Sequence, residues 1–240
     1  MAALLELHGV SKSFGPVRAV QEVSLHLSDG EALGIVGPNG AGKTTVLNLI
    51  GGTIRPDAGA IAFDGRDVTR LATHERCRLG IGRTFQVPRP FGGLTVYENV
   101  LVAHTYGRGR SLRQGKADCL PVLERVGLAQ KANALAGSLT LLERKRLELA
   151  RAIVLKPRVL LLDEVAGGLT DPEVAVLVAL VLGLREEGVA IIWIEHIVHA
   201  LLSVVDRLLA LAQGRPLIEG DPAEVMASPV LRDVYLGREL

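Results

Sequence analysis

The 240-residue chain predicts an α/β fold with a mainly parallel sheet, a length that suits one large domain or a domain carrying an inserted subdomain. Three observations carry that prediction. The apolar run Ala32-Leu33-Gly34-Ile35-Val36 leads into a Gly-rich loop and then into Val46-Leu47-Asn48-Leu49-Ile50, the order strand, loop, helix. Residues 158–162 are apolar after the first, the composition of a strand covered on both faces. Residues 189–194 repeat that composition, and the helical pattern over 172–186 between the two predicts a right-handed β-α-β crossover.

The remaining elements follow in chain order. Residues 4–10 and 20–27 read as strands, the second alternating through Val23, Leu25 and Leu27. Arg55-Pro56-Asp57-Ala58-Gly59 is a turn signal, and a short strand over 60–63 closes on Asp64-Gly65. Residues 81–86 read as a strand ending in Gln86, and the two prolines and two glycines of 87–93 predict a loop. Helical patterns dominate from 95 to 155, and 206–212 adds a further strand. There is no internal repeat. The basic, Gly-rich segment from Tyr106 to Lys116 reads as a solvated loop or as a contact for lipid headgroups or acidic partners.

Composition narrows the function. Apolar residues make up 48% and aromatics 3%, so the core is aliphatic. A net charge of +1 argues against a nucleic-acid footprint, and no nucleic-acid partner is expected. Cys77 and Cys119 stand in no metal or redox spacing and suit a reducing compartment. The start Met1-Ala2-Ala3-Leu4-Leu5-Glu6 lacks a basic region, so no secretory signal is expected. The longest apolar run, 174–184, is about half the length of a membrane-spanning helix. A mean hydropathy of +0.31 nevertheless predicts a peripheral protein that docks on something larger.

The Gly-rich loop, Gly37-Pro38-Asn39-Gly40-Ala41-Gly42-Lys43-Thr44-Thr45, fits G-x-x-x-x-G-K-[ST]. Its glycines let successive N–H groups converge on one anion, and the helix that follows presents its positive end there. Lys43 supplies a cation for the outer phosphates, and the Thr44 hydroxyl is placed to reach Mg²⁺. Nucleoside triphosphate binding is the expectation. Asp163 and Glu164 end the second apolar strand, where open α/β sheets place their ligands. Asp163 suits the Mg²⁺ shell, and Glu164 can polarise a water for attack on the γ-phosphate. Glu195, His196 and His199 offer a superficial zinc pair, but no third ligand or general base follows a known pattern.

Together these stretches resemble the ATP-binding cassette family, the nucleotide-hydrolysing subunits of ABC transporters, over essentially the whole chain. The resemblance implies a P-loop NTPase core with a mainly parallel sheet, an N-terminal antiparallel β subdomain, and a helical subdomain inserted at about 88–156 in a single domain over 1–240. It implies that Phe14, in Ser13-Phe14-Gly15, stacks on adenine. Gln86, in Arg83-Thr84-Phe85-Gln86, would touch Mg²⁺ with Thr44 and Asp163 and sense the membrane partner. His196 would contact the γ-phosphate beside Glu164. The cofactors implied are ATP and Mg²⁺.

The family's signature loop, usually Leu-Ser-Gly-Gly-Gln, aligns with Leu139-Thr140-Leu141-Leu142-Glu143, where both glycines have become leucines. Thr140 and Glu143 still form a capping-box pattern, so a helix N-terminus is expected there. In the family this loop acts on the ATP held by a second ATPase subunit, identical or sister. Gly167-Gly168-Leu169-Thr170 matches the dimer-contact loop. The stretches 83–100 and 144–151 and the ending Gly220-Asp221-Pro222 through Tyr235-Leu236-Gly237 are similar to ATPases of branched-chain amino-acid importers, and lipopolysaccharide-export ATPases share the closing residues. The resemblance implies a peripheral subunit on the cytoplasmic face of the inner membrane, paired with transmembrane permease subunits and served by an external solute-binding protein. Two alternatives stay open, a lipopolysaccharide-export-type ATPase and an ATP-binding regulatory subunit with weak turnover. Cassettes that act on ribosomes or DNA carry tandem units or coiled-coil insertions, which this chain lacks.

Overall fold

A computed structural model describes residues 3–107 and 112–235. An antiparallel sheet of order β2-β1-β4-β5 is built from β1 (Leu5–Phe14), β2 (Val17–Leu27), β4 (Ala58–Phe63) and β5 (Arg66–Asp67). A six-stranded sheet of order β10-β9-β3-β8-β7-β6 holds β3 (Ala32–Val36), β6 (Ile81–Arg83), β7 (Val159–Asp163), β8 (Ala190–Ile194), β9 (Arg207–Ala212) and β10 (Arg215–Gly220). Its neighbours run parallel except for the β9–β10 hairpin. The helices are α1 (Lys43–Ile50), α2 (Thr73–Leu79), α3 (Val96–Val102), α4 (Leu112–Arg125), α5 (Leu141–Ile153), α6 (Asp171–Glu186), α7 (Val198–Leu202), α8 (Pro222–Ala227) and α9 (Pro229–Tyr235).

The all-apolar strands are explained by two cores. Successive side chains on a strand point to opposite faces. Val159 and Leu161 of β7, with Ala190, Ile192 and Ile194 of β8, enter the core shared with α1 and the antiparallel sheet. Leu160, Leu162, Ile191 and the fully buried Trp193 enter the core made with α3 to α6. Register then builds the site. Ile35 of β3 lies opposite Ile194 of β8, and Ile194 lies opposite Asp163 of β7. The loops leaving these three strands therefore emerge side by side.

A glycine turn ties the two sheets together. Gly214, between β9 and β10, donates its N–H to Ala41 O at 3.1 Å and accepts from Gln21 N at 2.7 Å. Gln21 Nε2 also donates to Gln213 O at 2.8 Å. Gly214 has φ +79, and a Cβ there would lie 2.9 Å from Ala19 O, so only glycine fits.

Several sequence expectations need correction. β1 runs on to Phe14 instead of ending at 10, because register shifts after Leu7, with Gly9 at φ 56, bend the strand and let pairing resume. The helix after the phosphate loop starts at Lys43 and not at 46, since Gly42 at φ 99 turns the chain directly into it. The strand expected to end at Gln86 stops at Arg83. Thr84 N still bonds Leu161 O at 3.0 Å, but Phe85 to Val87 turn outward and are exposed at this sheet edge. The segment expected as a loop over 106–116 is helical at both ends: Tyr106 and Gly107 close a π-helical turn, and α4 begins at Leu112. Gly115 signals close packing there, since a Cβ would lie 2.5 Å from Leu101 Cδ1. Residues 108–111, like Leu236 and Gly237 of the family-like ending, lie outside the described residues. β10 has no counterpart among the sequence expectations, since exposed Arg215, Pro216 and Glu219 break up its short apolar pair Leu217-Ile218. On α6, Val174, Leu177, Val181 and Leu184 are buried while Val176 is exposed, so the helix is apolar on its solvent side too. Among the described residues no helix is long and apolar enough to cross a membrane.

Candidate functional site

The phosphate loop is shaped by its glycines. Gly37, Gly40 and Gly42 have φ values of 146, 79 and 99. A Cβ on Gly37 would lie 2.1 Å from Leu211 O, and one on Gly42 2.3 Å from Ala19 O. Lys43 is 7% exposed and folds back into the loop, donating to Gly37 O at 2.6 Å and Pro38 O at 3.0 Å. Burial pushes its ammonium below the usual lysine range, while Glu164 and then Asp163 oppose that shift. The loop, with Asn39, Gly40, Ala41, Thr44 and Thr45, lines an open cleft of about 700 Å³ that also reaches Phe14, Glu164 and Gln213. Phe14 is 49% exposed at the end of β1, with Lys12 Nζ 5.7 Å from its ring centre. An aromatic face open to the cleft can stack on a planar base.

Opposite the loop, Asp163 is 2% exposed. Its Oδ1 accepts from Thr44 Oγ1 at 3.3 Å, and its Oδ2 lies 3.4 Å from the Arg83 guanidinium. Burial raises the Asp163 pKa, Arg83 pulls it down, and Glu164 adds to the rise. Glu164 takes a left-handed φ of 47 directly after the strand. That turn swings its carboxylate between two partners, His196 Nε2 at 2.8 Å from Oε1 and Gln86 Nε2 on Oε2. Three residues predicted from distant segments thus meet on one carboxylate.

The donors around Thr44 suit Mg²⁺. Thr44 Oγ1 and Asp163 Oδ1 are hard oxygens already within 3.3 Å of each other. Among the described residues no cluster of three His, Cys, Asp or Glu could hold a metal by protein ligands alone. Two hard oxygens on one side fit a Mg²⁺ that would keep its waters and take substrate phosphates as further ligands.

The loop 139–143 heads α5. Thr140 is the N-cap, its hydroxyl accepting from Glu143 N at 3.4 Å while Glu143 Oε2 accepts from Thr140 N at 3.0 Å. Leu139 is buried and Leu141 exposed. Leu141 leans towards the neighbouring loop, so that a Cβ on Gly168 would meet its Cδ2 at 3.2 Å.

Four contributors carry no functional role in the sequence reading. Arg83 joins Asn48 Oδ1 at 2.7 Å to Asp163. Tyr235 Oη accepts from Gly37 N at 3.1 Å, tying α9 to the phosphate loop. Glu195 and Lys145 are both buried behind Glu164. Glu195 carries the same sequence signal as Asp163, a carboxylate ending an apolar strand.

Comparison with known proteins agrees with this geometry. The family described as ABC transporter matches residues 20–167. The chain is 37% identical to the high-affinity branched-chain amino acid transport ATP-binding protein BraF of Pseudomonas aeruginosa, covering 98% of each. It is 36% identical to the lipopolysaccharide export system ATP-binding protein LptB of Acidithiobacillus ferridurans, covering 99% of this chain and 98% of the other. A crystal structure of a nucleotide-free ATP-binding cassette from an ABC transporter superposes with a TM-score of 0.89 at 27% identity, covering 98% of this chain and 99% of the other.

Proposed function

The chain belongs to the ABC transporter family, and from that premise we propose that it binds and hydrolyses ATP to power import of branched-chain amino acids or similar solutes. The observation that carries the reading is Glu164, held by His196 and Gln86 at a strand end registered beside the phosphate loop. The amides of residues 37–45 bind and orient the phosphates, and Lys43 leaves its two carbonyls to meet the outer ones. Glu164 accepts a proton from the attacking water, and His196 lies against both that carboxylate and the γ-phosphate. Thr44, Asp163 and Gln86 would hold a Mg²⁺, which when bound would supply charge neutralisation at the phosphate oxygens.

The expected assembly is a pair of ATPase subunits on the cytoplasmic face of the inner membrane. Each signature loop covers the nucleotide of the other, and contacts made only in the closed pair drive closure. Exposed Phe85, Val87 and Phe91 flank Gln86 and suit contact with a transmembrane permease. The external solute-binding protein meets that permease. A second reading, a regulatory subunit with weak turnover, is favoured by Leu141 and Leu142 at the head of α5.

Glu164→Gln is expected to abolish phosphate release while ATP binding by calorimetry stays at wild-type strength. Unchanged phosphate release would remove Glu164 from this role, and weak wild-type turnover that rises only with a sister ATPase subunit would favour the second reading.

A further inference from the structure

A second layer of charge is buried directly behind Glu164. Glu195, 3% exposed, follows β8. Its Oε1 accepts from Ala166 N at 2.6 Å, and its Oε2 accepts from His196 N at 2.9 Å. One carboxylate therefore holds the backbone of both loops that supply the cluster. Lys145, 6% exposed, reaches the same place from α5, where its Nζ donates to Glu164 O at 3.3 Å. Glu164 N is also bonded, to Ile194 O at 2.8 Å.

These bonds surround a residue that gains nothing from its own conformation. A left-handed φ at a non-glycine residue is strained and persists only where neighbours over-determine it. Here the neighbours are an ammonium and a carboxylate, each expensive to bury. Apolar side chains of similar size would fill the same volume at lower cost, so packing alone does not explain them. Burial pushes the Lys145 ammonium below the usual lysine range, and Glu195 and then Glu164 oppose it.

We propose that Lys145 and Glu195 are positioning residues. By holding Glu164 O, Ala166 N and His196 N they aim the Glu164 carboxylate and the His196 ring at the γ-phosphate without touching it. The inference rests on Glu164 being the group that activates water.

The test uses the full chain, with steady-state ATP hydrolysis measured for Lys145→Met, Lys145→Arg, Glu195→Gln and Glu164→Gln together. Glu195→Gln keeps the shape but turns one acceptor into a donor facing a backbone N–H. Lys145→Met and Glu195→Gln are expected to lower kcat by about 10- to 100-fold, the effect of misplacing a reacting group. KM and calorimetric ATP affinity should stay at wild-type values, and Lys145→Arg should recover most of the rate, because a guanidinium can also donate to the Glu164 carbonyl. A folding defect would appear as lost ATP binding in Lys145→Met, and the isosteric Glu195→Gln then decides. Wild-type kcat in Glu195→Gln, or a rise in KM that accounts for the whole loss, overturns the inference. An inactive Glu164→Gln beside a fully active Lys145→Met overturns it alone, whereas an active Glu164→Gln overturns the water-activating role beneath it.

Discussion

Lys43 is held by its own loop, its ammonium bonded to the Gly37 and Pro38 carbonyls. A triphosphate must draw it outward, and the gain depends on its charge. Burial lowers its pKa, so the ammonium is lost at a lower pH than for an exposed lysine. The sign follows. The electrostatic part of ATP affinity is complete below that lowered pKa and fades as pH rises through it, before the usual lysine range is reached. Calorimetric titration at pH values rising towards the usual lysine range should show affinity falling before that range is reached, and Lys43→Ala should weaken binding and flatten the decline. At this scale the sequence was most legible where spacing is dictated by a ligand. The loop residues 37–45 need a fixed order because Gly37 and Gly42 each answer a close backbone contact and Gly40 takes a left-handed φ. Arg83 and Lys145 were hidden because their roles depend on which segments fold beside them, and no local spacing encodes that.

Among the elements, α5 joins the two kinds of evidence. Its N-terminus is defined by the Thr140–Glu143 capping box, readable from sequence, while its next turn sends Lys145 to Glu164, which is not. Thr140→Ala removes the hydroxyl that accepts Glu143 N and should cost about 1 kcal/mol of stability. Urea unfolding measures that loss, and the chain's own ATP affinity should be unchanged because the loop does not line its cleft. β7 and β8 were legible because both faces are covered, which leaves an unbroken apolar run. β6 was legible as a strand although it stops three residues earlier than expected, whereas β10 and the start of α4 were not legible. In β10, Arg215, Pro216 and Glu219 read as loop, and Gly115 reads as a turn although it serves a close helix contact.

At the scale of the molecule, the cleft is one-sided. Phe14 is half-exposed and Thr44 is exposed, so a nucleotide lying there presents its other face to solvent. A second copy or sister subunit closing over it would complete the site. Glu164→Gln with ATP is therefore expected to sediment as a dimer, and the same variant without nucleotide as a monomer. Sedimentation velocity distinguishes the two, and an ATP-independent monomer would contradict the paired arrangement. The overall α/β class was readable because the parallel strands announce themselves. How the antiparallel sheet reaches the phosphate loop was not, since it depends on the shared core and on the Gly214 turn far downstream, a closure that sequence distance only weakly penalises.

That turn, at Gly214, bonds β2 on one side and Ala41 on the other. Its consequence is metrological. The aromatic platform and the anion cradle are clamped to one pin, so the gap between them behaves as a fixed gauge. A ligand is measured end to end before any chemistry begins, and one whose base and terminal charge are spaced differently can engage only one jaw.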